Sequence, residues 1–574
     1  MVILYTIYYI VYNIKKKGAD ILSFLDDNLQ KRIGQNLMNY VSVRTHTNTQ
    51  LENNTKDFFK KWFNDKRYFK EHPDQYGFYP IEGDHLSRFV PWGLVKGNGN
   101  DTVIFIHHSD TVDTLDYGKY KDLAYNPIEI TEVLKTGKVE LYQDAKKDIQ
   151  SGKWLFGRGT ADMKGGGAIQ LSLIDKYSEL KDFNGNLIIL ALPDEENLSA
   201  GMRAAANLLK ELKERFSLNY VLMINSEPHE RKEEDVGVIY DGSIGKVMPL
   251  VYVRGKLAHV GQIFNGFNPI YLLSKIVDKT ELNVEFLDVV GQEASPPPTW
   301  LYLKDRKKVY DVSLPLSAGG YMSVLTLRSS PKKVLDLLED ICKDAFSEVI
   351  HEMNSSYKDY LFKIGQAYKE LPWKVNVKTF SQIFEEAKKD SGETFVEAYN
   401  ETIKSLKTKV SSSLLSIPEA CYILIEKTLE YLNDSSPMVI VAMSPPYYPN
   451  VCNNMIENLD SKVANIVDYL IDFSQQEWGQ KYEVQHYYTG ISDLSYALFE
   501  SDEETIDYIK NNMLMWGQVY DIPLEIIKEL SIPVLNIGPW GKDFHKYTER
   551  VFVEDLYYRT PRLIEEAVNK ILNN

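Results

Sequence analysis

Cysteine is scarce in this sequence, and its scarcity excludes two kinds of protein. Among 574 residues there are only three cysteines, Cys342, Cys421 and Cys452, and they lie far apart. An odd number at such spacing fits neither a disulfide framework nor a cysteine-based zinc site. The cysteine usage therefore indicates a reducing compartment, and we expect a cytoplasmic protein.

Basic residues are also few relative to acidic ones. The 65 lysines and arginines are outnumbered by 81 acidic residues, which gives a formal net charge of −16. Such a surface repels a phosphate backbone, so nucleic acid is excluded as the expected partner. A hydrophobic content of 44% with 25% charged residues is typical of a globular protein, and the length predicts more than one domain.

A long apolar run is missing, although the first twelve residues are almost wholly apolar and precede Lys15-Lys16-Lys17. A hydrocarbon core of about 30 Å needs about 20 residues to cross it. A signal peptide carries its positive charge before the apolar run, not after it. We therefore expect residues 1–20 to be an extension or a mistaken start, with a short membrane anchor as the alternative. No membrane partner is expected.

Apolar, β-branched runs alternate with helical patterns through the first half of the chain. The runs at 102–106, 186–192 and 220–224 are typical of buried strands, and helical spacing separates them. This alternation predicts a layered α/β domain. In such a sheet, ligands collect at the carboxyl ends of the strands.

A different order of elements begins near residue 250. It reads β-α-β-β-α, which predicts a small ferredoxin-like (split β-α-β) domain at 251–354, inserted into the layered domain. Residues 355–430 form an extra helical segment to which no role can be given. Strand patterns then return, so the layered domain is predicted to comprise residues 21–250 and 431–574.

Chemically active side chains follow the predicted strands. Two imidazoles and several carboxylates stand at strand ends or in the glycine-rich stretch 154–167, and this is a ligand set for zinc or a similar divalent ion. The residues are His108, Asp110, Asp162, Glu195, Glu196, Glu227 and His545.

Spacing suggests how such a set works. One carboxylate can bridge two ions that lie about 3.5–4 Å apart. His108 and Asp110 point the same way in an extended segment, so one can ligate while the other orients it. Glu195 and Glu196 can both face a site only from a turn, where one can be a ligand and the other a general base.

The same residues admit other interpretations. The glycine-rich stretch lacks the Gly-x-x-x-x-Gly-Lys-Ser/Thr order of a phosphate loop. A phosphoesterase is disfavoured because no arginine or lysine cluster accompanies the carboxylates. Taken alone, Glu549 and Asp493 are typical of surface acids, and Ser199 is typical of a helix N-cap.

The order of six motifs resembles the zinc-dependent aminoacylase and carboxypeptidase family of metallopeptidases, which includes acetylornithine deacetylase and succinyl-diaminopimelate desuccinylase. Within that family the chain looks most like an arginine-utilisation subgroup, on the evidence of the stretches 490–496 and 536–550. The six motifs are His108-Ser-Asp110, 157–166, Asp194-Glu195-Glu196, Glu227-Pro228, Gly255-Lys-Leu-Ala-His259 and His545.

The resemblance implies a two-domain, di-zinc hydrolase in which five residues hold two divalent ions, zinc first and cobalt or manganese as alternatives. His108 and Glu227 would hold one ion, Glu196 and His545 the other, and Asp162 would bridge both.

It also implies four further roles. Asp110 would orient His108, and Glu195 would be the general base. His259, on the inserted domain, would stabilise the oxyanion, reaching a partner's site in dimeric relatives. Asp493 would lie on the substrate side. A homodimer is thus a further expectation.

We therefore expect a metal-dependent amidohydrolase that uses a metal-bound hydroxide to cleave an amide bond of an N-acyl amino acid or short peptide. The resemblance places it in amino-acid catabolism, of arginine in particular. Two alternatives stay open: a dipeptidase or carboxypeptidase, and a non-catalytic binding protein on the same scaffold.

Overall fold

A computed structural model describes residues 27–573, so the predicted N-terminal extension lies outside the described residues. The described chain divides into two compact units. The first comprises residues 27–243, 451–500 and 523–573, and the second comprises 244–450 and 501–522. No helix in the described part is both long and apolar enough to cross a membrane.

Helices alternate with strands, and the predicted α/β class is confirmed. The helices are α1 (Asp27–Val41), α2 (Asn54–Asp65), α3 (Arg67–Glu71), α4 (Pro127–Lys135), α5 (Gln143–Ser151), α6 (Lys164–Ser178), α7 (Ala200–Phe216), α8 (Pro269–Thr280), α9 (Pro331–Lys363), α10 (Phe380–Ser411), α11 (Ile417–Leu429), α12 (Ser461–Ala464), α13 (Ile466–Trp478), α14 (Glu503–Asn512), α15 (Leu524–Leu530) and α16 (Thr560–Leu572).

The strands are mostly short. They are β1 (Tyr76–Pro80), β2 (Phe89–Lys96), β3 (Asn98–His108), β4 (Trp154–Phe156), β5 (Asn184–Leu192), β6 (Asn219–Asn225), β7 (Val236–Tyr240), β8 (Gly242–Ser243), β9 (Gly245–Val247), β10 (Pro249–Arg254), β11 (Val289–Val290), β12 (Glu293–Ala294), β13 (Thr299–Asp305), β14 (Ser317–Thr326), β15 (Val377–Thr379), β16 (Met438–Met443), β17 (Val451–Cys452), β18 (Lys481–Gln485), β19 (Val534–Asn536), β20 (Gly541–Lys542) and β21 (Arg550–Phe552).

The first unit is built on an eight-stranded sheet of order β1-β2-β5-β3-β6-β19-β7-β18. Its middle strands β5, β3, β6 and β19 run parallel to one another, so their carboxyl ends meet at one edge. Helices α1, α6 and α16 contribute apolar side chains to the same core as the sheet, among them Leu37, Ile169 and Ile564. The three predicted strands are thus adjacent in the order β5, β3, β6.

The second unit contains a mixed sheet of order β13-β14-β10-β16-β15, with β9 also paired to β14. Helices α10 and α11 pack on it through a core that includes Leu250, Ile383, Ile425 and Ile440. Because β16 forms hydrogen bonds with β10, the segment 438–443 joins this sheet. The unit therefore extends past the predicted inserted domain and takes in the extra helical segment 355–430.

Candidate metal centre and active site

The carboxyl edge of the large sheet gathers the predicted metal-binding residues. His108 is the last residue of β3, and Glu227 lies two residues beyond β6. Glu195 and Glu196 stand in the turn that follows β5, while His545 lies on the loop between β20 and β21. His108, Glu195, Glu196 and Glu227 therefore converge because the parallel strands β3, β5 and β6 end together, and the loop between β20 and β21 adds His545.

Asp162 lies between the two histidines. Its Oδ1 is 2.9 Å from His108 Nε2, and its Oδ2 is 3.1 Å from His545 Nε2. His545 Nε2 is also 3.0 Å from Glu196 Oε2, and His108 Nε2 is 3.6 Å from Glu227 Oε1. Each oxygen of one carboxylate thus faces a different imidazole, as expected of a carboxylate shared by two ions.

Two groups of ligand atoms are close enough to surround single ions. In each group, one ligand atom per residue lies within 4.8 Å of the others. The first group is His108, Asp162 and Glu196, and the second is His108, Glu195 and Glu227. Glu195 therefore stands within the cluster itself, where a general base or a ligand would be placed.

Burial and like charge make this cluster unfavourable without cations. Burial raises the pKa of Glu195 and of Glu227 well above the ordinary value, and neighbouring carboxylates raise both further. Hydrogen bonds to Asp162 and Glu196 raise the pKa of His545 to about 10. Burial opposes ionisation of Asp162, but hydrogen bonds from the two histidines hold its pKa below the ordinary value. Imidazole and carboxylate ligand atoms that lie this close together are suited to binding divalent ions.

Asp110 holds the turn that carries Glu195 and Glu196. Its two carboxylate oxygens accept the backbone N–H groups of these residues at 3.1 and 3.3 Å. The nearer acceptor for His108 Nδ1 is the main-chain carbonyl of Asp110, at 3.1 Å, while its carboxylate is 3.7 Å away. Because a carbonyl only accepts, Nδ1 carries the proton and Nε2 is left as the ligand atom.

Arg158 and Glu549 support Asp162, and sequence reasoning missed both. Glu549 Oε1 accepts the N–H groups of Ala161 and Asp162, each at 3.3 Å, while its Oε2 is 2.6 Å from Arg158 Nη1. Glu549 is fully buried and is not a surface acid. No local pattern marks the pair, although Arg158 does lie within the motif that contains Asp162.

Arg88 contacts Asp194, which precedes Glu195 in its turn, and sequence reasoning missed this arginine as well. Its Nη1 lies 2.6 Å from Asp194 Oδ1 and 2.9 Å from Glu52 Oε1, and its Nη2 lies 2.7 Å from Asp84. Asp194 has a φ of 72°, an uncommon conformation for a residue other than glycine. The ion pair therefore stabilises a strained residue next to Glu195.

The prediction that the Ser199 side chain caps the next helix is wrong. Helix α7 does begin at Ala200, but Ser199 has a φ of 52° and its side chain makes no capping bond. Asp194 Oδ2 accepts the N–H of Ala200 at 3.2 Å instead. The acid before Glu195 thus caps the helix that follows the turn.

His259 lies in the second unit, whereas the charge of Asp493 acts on Glu195 and Glu227 within the first. His259 belongs to the second unit, where it is exposed and its Nδ1 accepts the N–H of Gly261 at 3.1 Å. Asp493 belongs to the first unit and is only 2% exposed. The Ser199 hydroxyl lies beside its carboxylate and favours the charged form, but burial dominates and raises the pKa of Asp493 to about 7.

Helix α6 starts against the backbone that carries Glu227. A Cβ on Gly166 would lie 2.2 Å from the carbonyl oxygen of Ser226, which no side chain tolerates. The close approach predicted for this glycine run is therefore present, and it brings the Asp162 loop beside the end of β6.

The sequence matches the model of Peptidase family M20/M25/M40 over residues 133–505, well over half of the chain. The chain belongs to this family. The matched range includes Asp162, Glu195, Glu196 and Glu227, whereas His108 and His545 lie outside it. The predicted class is confirmed: the chain is a metallohydrolase that acts on peptide or amide bonds.

Relatives extend the similarity to almost the whole chain. Uncharacterized protein YqjN of Bacillus subtilis is 31% identical over 519 residues, covering 88% of this chain and 90% of the relative. Protein RocB of the same organism is 28% identical over 553 residues, covering 95% and 96%. The predicted resemblance to the RocB subgroup is confirmed. The succinyl-diaminopimelate desuccinylase of Wigglesworthia glossinidia brevipalpis is 31% identical over 204 residues, covering 35% of this chain and 46% of that enzyme.

Among solved structures, aminopeptidase PepT from Bacillus cereus is similar with a TM-score of 0.50 at 14% identity, over 94% of this chain and 98% of the other. At that identity the likeness establishes the fold alone.

Proposed function

We propose that the protein hydrolyses an amide bond of an N-acyl amino acid or a short peptide with two divalent ions, zinc in the first place. The observation that carries this proposal is the position of Asp162, with one carboxylate oxygen on each of two histidines. A single-ion site has no need of such a shared carboxylate.

His108 and Glu227 would hold one ion, His545 and Glu196 the other, and Asp162 both. When bound, the ions would lower the pKa of a water molecule toward about 7 and polarise the substrate carbonyl. The chain itself presents the Nε2 atoms of both histidines to Asp162, and the carbonyl of Asp110 fixes the ring of His108.

Glu195 would move the proton. Burial raises its pKa well above the ordinary value, so the carboxylate has a high proton affinity. It can take a proton from the attacking water and give it to the nitrogen of the leaving amine. The backbone N–H of Glu195 is held by Asp110, which keeps the carboxylate from leaving the site.

Asp493 would act on the substrate side. Its carboxylate is buried with the Ser199 hydroxyl beside it, and the remaining acceptor positions are costly unless a further donor satisfies them. His259 would supply a donor to the oxyanion. We expect Asp493→Asn to raise KM more than it lowers kcat, and His259→Ala to lower kcat.

Substrate class is tested by a panel on the zinc-loaded enzyme. N-acetyl and N-succinyl amino acids should be compared with dipeptides and tripeptides. Each class of compound should include one member that contains arginine. Resemblance to the RocB subgroup favours arginine derivatives. Cleavage of the N-acyl compounds supports a deacylase, and cleavage of the peptides alone supports a dipeptidase or carboxypeptidase.

The proposal would fail if no member of the panel were hydrolysed by protein that carries its ions. Metal content below one ion per chain, after purification without chelator, would favour a binding protein on the same scaffold.

A further inference from the structure

A second cluster of metal-binding side chains lies in the first unit, and none of its members belongs to the site described above. Asp241 follows β7, His486 follows β18, and Cys452 ends β17. Strands β7 and β18 are parallel neighbours in which Gln485 is aligned with Tyr240. Asp241 and His486 therefore emerge side by side at the carboxyl ends of adjacent strands.

The three side chains converge closely. His486 Nδ1 lies 2.9 Å from Asp241 Oδ1, and Cys452 Sγ lies 3.9 Å from the same oxygen. One ligand atom from each residue lies within 4.8 Å of the other two. Around a tetrahedral zinc with bonds of about 2.0–2.3 Å, ligand atoms stand about 3.3–3.5 Å apart. The two measured separations bracket that value.

The backbone keeps these segments together. Gly242 follows Asp241 and pairs with Cys452 in the ladder between β8 and β17. A Cβ on Gly242 would lie 2.3 Å from the carbonyl oxygen of His486 and 2.9 Å from the Cα of Cys452. Glycine at this position is required for the close packing of the three strand ends, so the donor positions are set by the sheet and not by flexible loops.

We propose that Asp241, Cys452 and His486 bind a third divalent ion of the zinc type. A thiolate, an imidazole and a carboxylate together suit a borderline ion such as zinc or cobalt better than magnesium or calcium, which prefer oxygen alone. Three protein ligands leave a fourth position for water. The His486 side chain is 40% exposed, which gives the ion a route from solvent, while Cys452 is buried.

The ion would fix the position of the segment that runs from His486 to Asp493. Within this segment Tyr488 is buried, and its N–H donates to the carbonyl of Gly242 at 3.0 Å. Asp493, which is also buried, stands at the other end of the segment. The third ion would thus position residues of the active site without taking part in the reaction.

The sequence alone did not indicate this site, because Cys452 has no second cysteine near it in the chain. Asp241 lies 211 residues before Cys452 and 245 residues before His486 in the chain. The inference is independent of the proposed substrate and mechanism, since it rests on other residues.

Cobalt provides a test that separates the two sites. Metal-free protein, kept reduced and anaerobic, is loaded with excess Co²⁺ and its near-ultraviolet spectrum is recorded. Only a thiolate ligand gives a strong sulfur-to-cobalt charge-transfer band, and the catalytic set contains no cysteine. We expect the band in the native protein and in Cys421→Ser, and its loss in Cys452→Ser.

Because Cys452 is buried, a change there could disturb folding, so the exposed His486→Gln is a second variant. It should weaken the band and lower the cobalt content by up to one ion per chain, with unchanged circular dichroism. A native protein without the band would overturn the proposal, as would a band that survives in Cys452→Ser. Neither result would affect the proposed function.

Discussion

Glu549 and Arg158 form a buried ion pair directly behind Asp162, with Glu549 Oε2 2.6 Å from Arg158 Nη1. The other oxygen of Glu549 accepts two N–H groups of the Asp162 loop. Glu549 lies four residues after His545, so one loop supplies a candidate ligand and also fixes the carboxylate that this ligand faces. The pair links positions 391 residues apart in the chain.

Glu549→Gln should destabilise the fold by about 3 kcal/mol, since it leaves the Arg158 charge buried with a weaker partner. The amide oxygen of the glutamine can still accept the two N–H groups. The loss of unfolding free energy therefore reports the removal of the negative charge. Urea unfolding of the metal-free protein measures it. Glu132→Gln is the matched control, because Glu132 pairs with Lys135 at an exposed position and should cost less than about 1 kcal/mol. Equal effects of the two changes would refute the role of the buried pair.

Arg88→Lys should lower kcat about 10–100-fold with a small change in KM, the usual range for residues that orient a ligand or base. Lysine keeps the charge but cannot reproduce the fork that contacts Asp194, Glu52 and Asp84 together. Steady-state kinetics measure the effect. Arg67→Lys, at an exposed i,i+4 pair with Glu71, serves as the control. A change confined to thermal stability would make Arg88 merely structural.

The sequence was sufficient to predict the elements that local residue patterns specify. The apolar runs at 102–106, 186–192 and 220–224 became β3, β5 and β6, and the polar residues after them meet because parallel strands end at one edge. Ion pairs between segments that are distant in the chain could not be predicted. Nothing near Arg88 predicts Asp194, and nothing near Glu549 predicts Arg158. The cap of α7 was misassigned because Ser199 adopts a left-handed conformation that only the surrounding turn explains.

The shared position of Asp162 predicts unequal effects on metal content. Asp162→Ala should lose both ions, because each ion would lose one oxygen of the same carboxylate. His545→Ala should mainly weaken the ion that Glu196 also holds. Equilibrium dialysis against zinc, followed by elemental analysis, measures both. If Asp162→Ala kept one ion at native affinity, the carboxylate would not be a bridge.

Metal uptake should release protons. An imidazole binds metal only when Nε2 is unprotonated, and hydrogen bonds to Asp162 and Glu196 raise the pKa of His545 to about 10 in the metal-free chain. The ion must therefore displace a proton at any pH below about 10, and zinc affinity should rise from pH 6 to pH 9. Calorimetry in buffers of different ionisation enthalpy counts the protons. An affinity independent of pH would show that His545 is not a ligand.

The measurement that tests the central claim most directly is the metal content of Glu195→Gln together with its kcat. We expect both catalytic ions to remain, because Glu195 would serve as the base and not as a ligand. We expect kcat to fall by at least about 10²–10⁴-fold, the contribution of a positioned acid–base group. Loss of an ion in this variant would make Glu195 a ligand, and turnover near the native rate would show that another group moves the proton. Either result would contradict the mechanism proposed for this chain.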